Sequence, residues 1–172
     1  MKPFVLATLI LSVVLSACSS SEQQKIQIDP QKYKVQDAAR LQQRFESLNQ
    51  QLSKDYQALK KSNNIAFSDQ SLLDVNQLQT LNLHAVSSTS LKPVKQAYCQ
   101  MMNGYFAEMY QLGHQNLNII GQVKFPHAQG ENLSKKFADA DQFYDFILNH
   151  YTSYRQAQEI MGFGCNLKAA LH

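Results

Sequence analysis

Five histidines, His84, His114, His127, His150 and His172, are the residues of this chain best suited to hold a metal or move a proton. None stands in a His-x-x-x-His or His-Glu-x-x-His pattern, so a zinc site has no local signature. Scattered histidines of this kind are expected at helix ends and on the surface. Asp139, Asp141 and Asp145 lie within seven residues, a density that could serve calcium. The glycine and terminal glutamate of an EF-hand loop are missing, however, and a helix N-terminus, which favours negative charge, explains them better. Glu108 and Glu159 are the conceivable acid pair for glycoside cleavage, each standing singly in its segment. A Gly-x-Ser-x-Gly elbow, a phosphate-cradling glycine loop and a dinucleotide fingerprint are absent from the sequence. The expectation is a protein without catalytic residues, cofactor or metal.

The cysteines carry more. Cys18 follows a short basic start at Lys2 and an apolar run from Phe4 to Leu15. That run is shorter than the ~20 apolar residues a spanning helix needs and has the layout of a secretory signal peptide. Its exit, Leu15-Ser16-Ala17-Cys18, resembles the lipobox of bacterial lipoprotein precursors. The resemblance implies cleavage before Cys18, a diacylglycerol group on its thiol and acylation of the new amine. Several acyl chains anchor stably where one does not. Ser19 is similar to the residues that send such proteins to the outer membrane, so an anchor there, facing the periplasm, is expected. Residues 1–17 then form the signal peptide, 18–36 a lipidated start and polar tether, and 37–172 the periplasmic domain.

With Cys18 set aside, Cys99 and Cys165 are an even pair, most simply one disulfide in an oxidising compartment. Two free thiols or a catalytic cysteine are the alternatives, but neither residue stands in a Cys-x-x-Cys motif. Formal net charge is +3, of which Lys2 contributes one, leaving +2 in the mature chain. No run of Lys or Arg is longer than a pair, as at Lys60-Lys61 and Lys135-Lys136, so no nucleic-acid footprint is visible.

Four helices are predicted to position these residues. From Asp37, the spacing of Leu41, Phe45, Leu48, Leu52, Tyr56 and Leu59 writes one helical stripe that ends at Ser62-Asn63-Asn64. Ser68-Asp69 opens a second, shorter helix with Leu72, Val75, Leu78, Leu81 and Leu83. A third starts near Ser90 with Pro93 in its first turn and carries a broad apolar face, interrupted by Gly104 and Gly113. Residues 121–130 read as a loop. Asp139 and Gln142 have capping-box spacing before a last aromatic helix that runs to Ile160-Met161 and stops at Gly162. Short connections and no strand pattern imply an all-α, small four-helix bundle stapled by one disulfide.

Methionines and aromatics concentrate on the last two of these helices. Tyr98, Met102, Phe106, Met109, Phe143, Phe146 and Tyr151 are candidates to line a deformable partner groove, or else to fill the bundle core. Size, disulfide and layout are similar to those of pilotins, small lipoproteins that grip a peptide helix. The expected role is therefore a non-enzymatic module that binds a protein of the cell envelope. An inhibitor or immunity lipoprotein, acting through the loops at 61–68 and 121–132, is the alternative.

Overall fold

The computed structural model describes residues 29–172; the predicted signal peptide, Cys18 and residues 19–28 lie outside the described residues. Helix α1 (Ala38–Ser62) begins where the sequence places it, because the Asp37 carboxylate accepts from the Arg40 amide at 2.8 Å. Its stripe of Leu41, Phe45, Leu52 and Tyr56 is buried. At the far end the Leu59 carbonyl accepts from both the backbone amide and the side-chain amide of Asn63, each at 3.1 Å, which closes the helix. Helix α2 (Lys92–His114) accepts Pro93 in its first turn, where no amide hydrogen is required.

These two helices run antiparallel, a pairing fixed by contacts along their whole length. Tyr56 meets Tyr98 edge-on with ring centroids 5.9 Å apart. The Tyr105 hydroxyl donates to Asn49 Oδ1 at 2.7 Å. Beyond the C-terminus of α2, Asn116 donates to the Tyr33 carbonyl at 2.9 Å, and its own oxygen accepts from the Val35 amide at 3.0 Å. That last contact corrects the predicted extent of the tether. Pro30–Lys32 form a single 3-10 turn and Tyr33 is buried, so residues 30–36 already belong to the folded domain.

The predicted second helix is not one. Residues 67–77 form bends and turns, and only Leu78–His84 coil, as a 3-10 helix. The cause is local. The Asp69 carboxylate accepts from the Ser71 amide at 2.7 Å, and that of Asp74 from the Asn76 amide at 2.9 Å. Each short side chain captures a backbone donor that a helix would need. Leu72 and Leu83, predicted to be apolar-face residues, are exposed. Phe67 and Val86 make an isolated antiparallel bridge, and the described residues contain no strand.

The last aromatic helix is also divided. After α3 (Leu133–Lys136), α4 (Ala140–Phe146) runs into a π-type turn at Ile147–Tyr151 before α5 (Tyr154–Met161) and α6 (Leu167–Ala170). The break has a tertiary origin. The Ser153 amide donates to the Leu78 carbonyl at 3.0 Å, and its hydroxyl accepts from the Asn82 amide at 2.7 Å. Thr152 fills the gap by donating to the Ile147 carbonyl at 2.7 Å. Of the four predicted helices, the second is thus largely replaced by bends and turns and the last is divided into shorter pieces. The all-α fold holds, and so does its single staple: Cys99 in α2 is bonded to Cys165, just past α5, with Cα atoms 4.9 Å apart.

Around that staple the side chains interlock. Tyr154 donates to Asn103 Oδ1 at 3.1 Å, the Asn103 amide donates to the Cys165 carbonyl, and the Cys165 amide donates to Gln158 Oε1 at 2.8 Å. Gly162 closes α5 with φ of +58°, the left-handed cap read from the sequence.

Candidate functional site

The acidic residues singled out in the sequence are mostly engaged in local contacts. Asp139 caps α4, accepting from the Gln142 amide at 2.8 Å, and Gln142 returns its side-chain amide to the same carboxylate at 2.6 Å. Those bonds hold the Asp139 carboxyl below its ordinary range. Asp141 pairs with Lys168 at 2.7 Å, and Asp145 accepts from Asn149. Glu108 is engaged by Lys32 and Tyr33, while Glu159 is exposed on α5. Among the described residues, no three His, Cys, Asp or Glu side chains gather as metal ligands.

The seven predicted groove residues are inside. Tyr98, Met102, Phe106, Met109, Phe143, Phe146 and Tyr151 are all buried in one core, most of them completely. This corrects the open-groove reading for that set. Their rings pack within the aromatic core: Phe106 against Tyr154 at 5.2 Å, Phe146 stacked on Tyr151 at 5.2 Å, Phe143 against Tyr110 at 5.2 Å. Met109 and Tyr151 also border a cleft of about 100 Å³, well below the roughly 300–1,000 Å³ of ligand pockets.

The apolar groove lies one helical step away. Leu48, Gln51, Leu52 and Asp55 of α1 face Met101, Gly104, Tyr105 and Glu108 of α2, with Gln100 at one end. Each set has the spacing i, i+3, i+4, i+7, so each is a stripe along its helix, and the two stripes flank a trough of about 300 Å³. Leu52 and Tyr105 are buried and form its floor; Leu48 and Met101 are partly exposed along it. Tyr105 is locked by its bond to Asn49, and burial pushes its hydroxyl pKa well up, so it stays neutral.

Gly104 is what keeps the trough open. A Cβ placed there meets no heavy atom within 4 Å. Charge is one-sided: the lining includes two carboxylates, Asp55 and Glu108, and no basic side chain. Glu108 is held at one end, accepting from the Tyr33 hydroxyl at 2.8 Å and from Lys32 at 3.3 Å. A hydrogen bond to the Tyr33 hydroxyl, and then the Glu108 charge, raise the Lys32 pKa. Among the described residues, Asp55 accepts only the Gln51 side-chain amide, at 2.8 Å, which leaves acceptor capacity for an incoming cation.

A glycine inside a helix with open space around it costs stability without a packing return. Gly104→Ala is therefore expected to stabilise the domain by about 0.5–1 kcal/mol. Thermal unfolding checks this, as a rise in Tm of roughly 2–3 °C.

The groove residues were only partly accessible from sequence. Met101, Tyr105, Leu48 and Leu52 stand on predicted stripes, but periodicity does not separate the part of a stripe a neighbouring helix covers from the part it leaves bare. Gly104 was the available signal, being a helix breaker retained on an apolar face. No family model, no curated protein and no solved structure matches this chain.

Proposed function

We propose that the chain is a lipid-anchored, non-enzymatic module of the bacterial outer membrane, facing the periplasm. In this reading its α1–α2 groove receives an amphipathic helix from a partner envelope protein. The observation that carries the proposal is the pair of facing stripes with an apolar floor and a glycine gap, the shape that helix-in-groove recognition uses. The occupant presents apolar residues at i, i+3/i+4 and i+7 to Leu48, Leu52 and Met101, and a lysine or arginine to Asp55. The anchor rests on the resemblance of Leu15-Ser16-Ala17-Cys18 to a lipobox. No helix of the described residues is long and apolar enough to cross a membrane.

The inhibitor or immunity alternative is favoured by one observation, Ile65, 95% exposed in the turn after α1 as a protruding loop residue would be. The two readings separate experimentally. Gly104→Trp fills the groove at a position with free space and is expected to abolish capture of the partner from solubilised membranes while the fold survives. Ile65→Ser is expected to leave capture intact. The opposite pattern assigns binding to the loop and overturns the groove. For the anchor, Cys18→Ala is expected to move the protein out of the membrane fraction; retention there counts against lipidation.

A further inference from the structure

One buried cluster has no part in the groove. Lys60, in the last turn of α1, is only 6% exposed, and burying a lysine demands partners. Its ammonium donates to the Ser71 carbonyl at 2.9 Å and lies 3.0 Å from His84 Nδ1. It also sits 5.5 Å and 5.7 Å from the ring centres of Tyr56 and Phe67. An ammonium has hydrogens to give and nothing to accept with, so His84 Nδ1 must offer a lone pair and the ring proton resides on Nε2. His84 is itself buried, and its carbonyl accepts from the Tyr56 hydroxyl. Among the described residues, the anion in contact is Asp69, whose Oδ2 lies 3.6 Å from His84 Nδ1.

Lys60 thereby ties down the non-helical segment 67–77. Gln70 adds two bonds at its start, to the carbonyls of Asn64 and Phe67 at 2.9 and 2.8 Å. Leu73 is buried in the core beyond it. Between Gln70 and Leu73, the Lys60–Ser71 bond is the attachment to the body of the protein.

We propose that Lys60 and His84 form a proton-operated latch on residues 68–77. A proton arriving at His84 Nδ1 occupies the lone pair that Lys60 uses. It leaves two cations 3.0 Å apart in a buried site, and the Lys60 ammonium withdraws, releasing Ser71 and the segment around it. The charged and titratable groups facing the pair are Tyr56 from α1 and Asp69 from the segment. Tyr98 of α2 and Tyr154 of α5 lie behind Tyr56. The tyrosines are neutral at any relevant pH, because burial raises all three.

The direction of the pH effect follows. Burial and then Lys60 lower the His84 pKa, against a smaller opposing pull from Asp69. A histidine that titrates lower in the fold than in the unfolded chain contributes fully above its ordinary value of about 6.5. That contribution is lost progressively as pH falls from there toward the folded value. Lys60 is lowered as well, by burial, so its desolvation cost is constant near neutrality and diminishes only in alkali.

The test is amide exchange of the mature chain between pH 7.5 and 5, corrected for intrinsic rates, with the His84 ring followed by NMR. Exchange in 68–77 is expected to accelerate at least tenfold relative to α2 amides, with a His84 midpoint below about 6.5. Lys60→Met, which keeps the length of the side chain without its charge, and His84→Gln, which keeps an acceptor without titrating, are both expected to flatten that response. A pH-independent segment in the unmodified chain, or an acid response that persists in either variant, overturns the latch.

Discussion

Replacing Cys99 and Cys165 together by alanine is expected to remove about 4 kcal/mol of stability and to lower Tm by roughly 10 °C. The bond closes a long loop, with 66 positions separating its ends, and the chain-entropy cost of leaving such a loop open sets that figure. Against a total of about 5–15 kcal/mol for a domain, the loss is a large fraction. Its structural reach is just as specific. The bridge holds the chain after α5 against α2, where Asn103 and Gln158 take up the Cys165 carbonyl and amide. Without the covalent tie these bonds no longer hold α6 in register, and Leu167 and Leu171, both buried, are the side chains expected to loosen first. Urea titration of the oxidised chain and the double variant measures the difference, and a change below about 1 kcal/mol contradicts the structural role.

Gly113→Ala is expected to cost about 1–2 kcal/mol net, the opposite sign to Gly104→Ala nine residues earlier in the same helix. A Cβ at position 113 falls 2.0 Å from Phe137 Cδ1 and 2.5 Å from its Cε1, far inside contact distance. Phe137 is fully buried and cannot step aside. Its ring is packed on Phe143 at 4.9 Å, Phe125 at 5.7 Å, Phe146 at 6.3 Å and Phe45 at 6.4 Å. Overpacking of this kind costs about 1–3 kcal/mol and occasionally more, and it outweighs the roughly 1 kcal/mol that alanine contributes as a better helix former. Shrinking the ring with Phe137→Leu in the Gly113→Ala background is expected to recover part of the loss. Such coupling between the two sites is the signature of direct contact, and strict additivity would contradict it.

These two glycines also mark how far the sequence could be read. Both were visible as breaks in an apolar helix, but nothing in the chain distinguishes the one pressed by a phenylalanine 24 residues away from the one facing open space. Helices α1 and α2 were legible because each carries its own stripe and its own start signal, the Asp37 cap in one and a first-turn Pro93 in the other. The segment 67–77 was not, since leucines at helical spacing outvoted the Asp69 and Asp74 side chains that take the backbone donors. The break at Thr152 and Ser153 was hidden for a different reason. Its partners, Leu78 and Asn82, lie more than 70 positions away in sequence. The Met and aromatic set pointed to core and groove alike, and burial decided for core. The pairing of Cys99 with Cys165 needed only a count of cysteines once Cys18 was assigned elsewhere.

The groove reading is tested most directly by placing a photo-reactive benzoylphenylalanine at Met101, on the groove rim, in the lipidated chain within intact cell envelopes. A single discrete protein adduct is expected, lost when Gly104→Trp fills the trough and absent when the same probe replaces exposed Lys135 on α3. Adducts with lipid alone, or a protein adduct that survives Gly104→Trp and appears equally from position 135, would contradict the groove as the binding site.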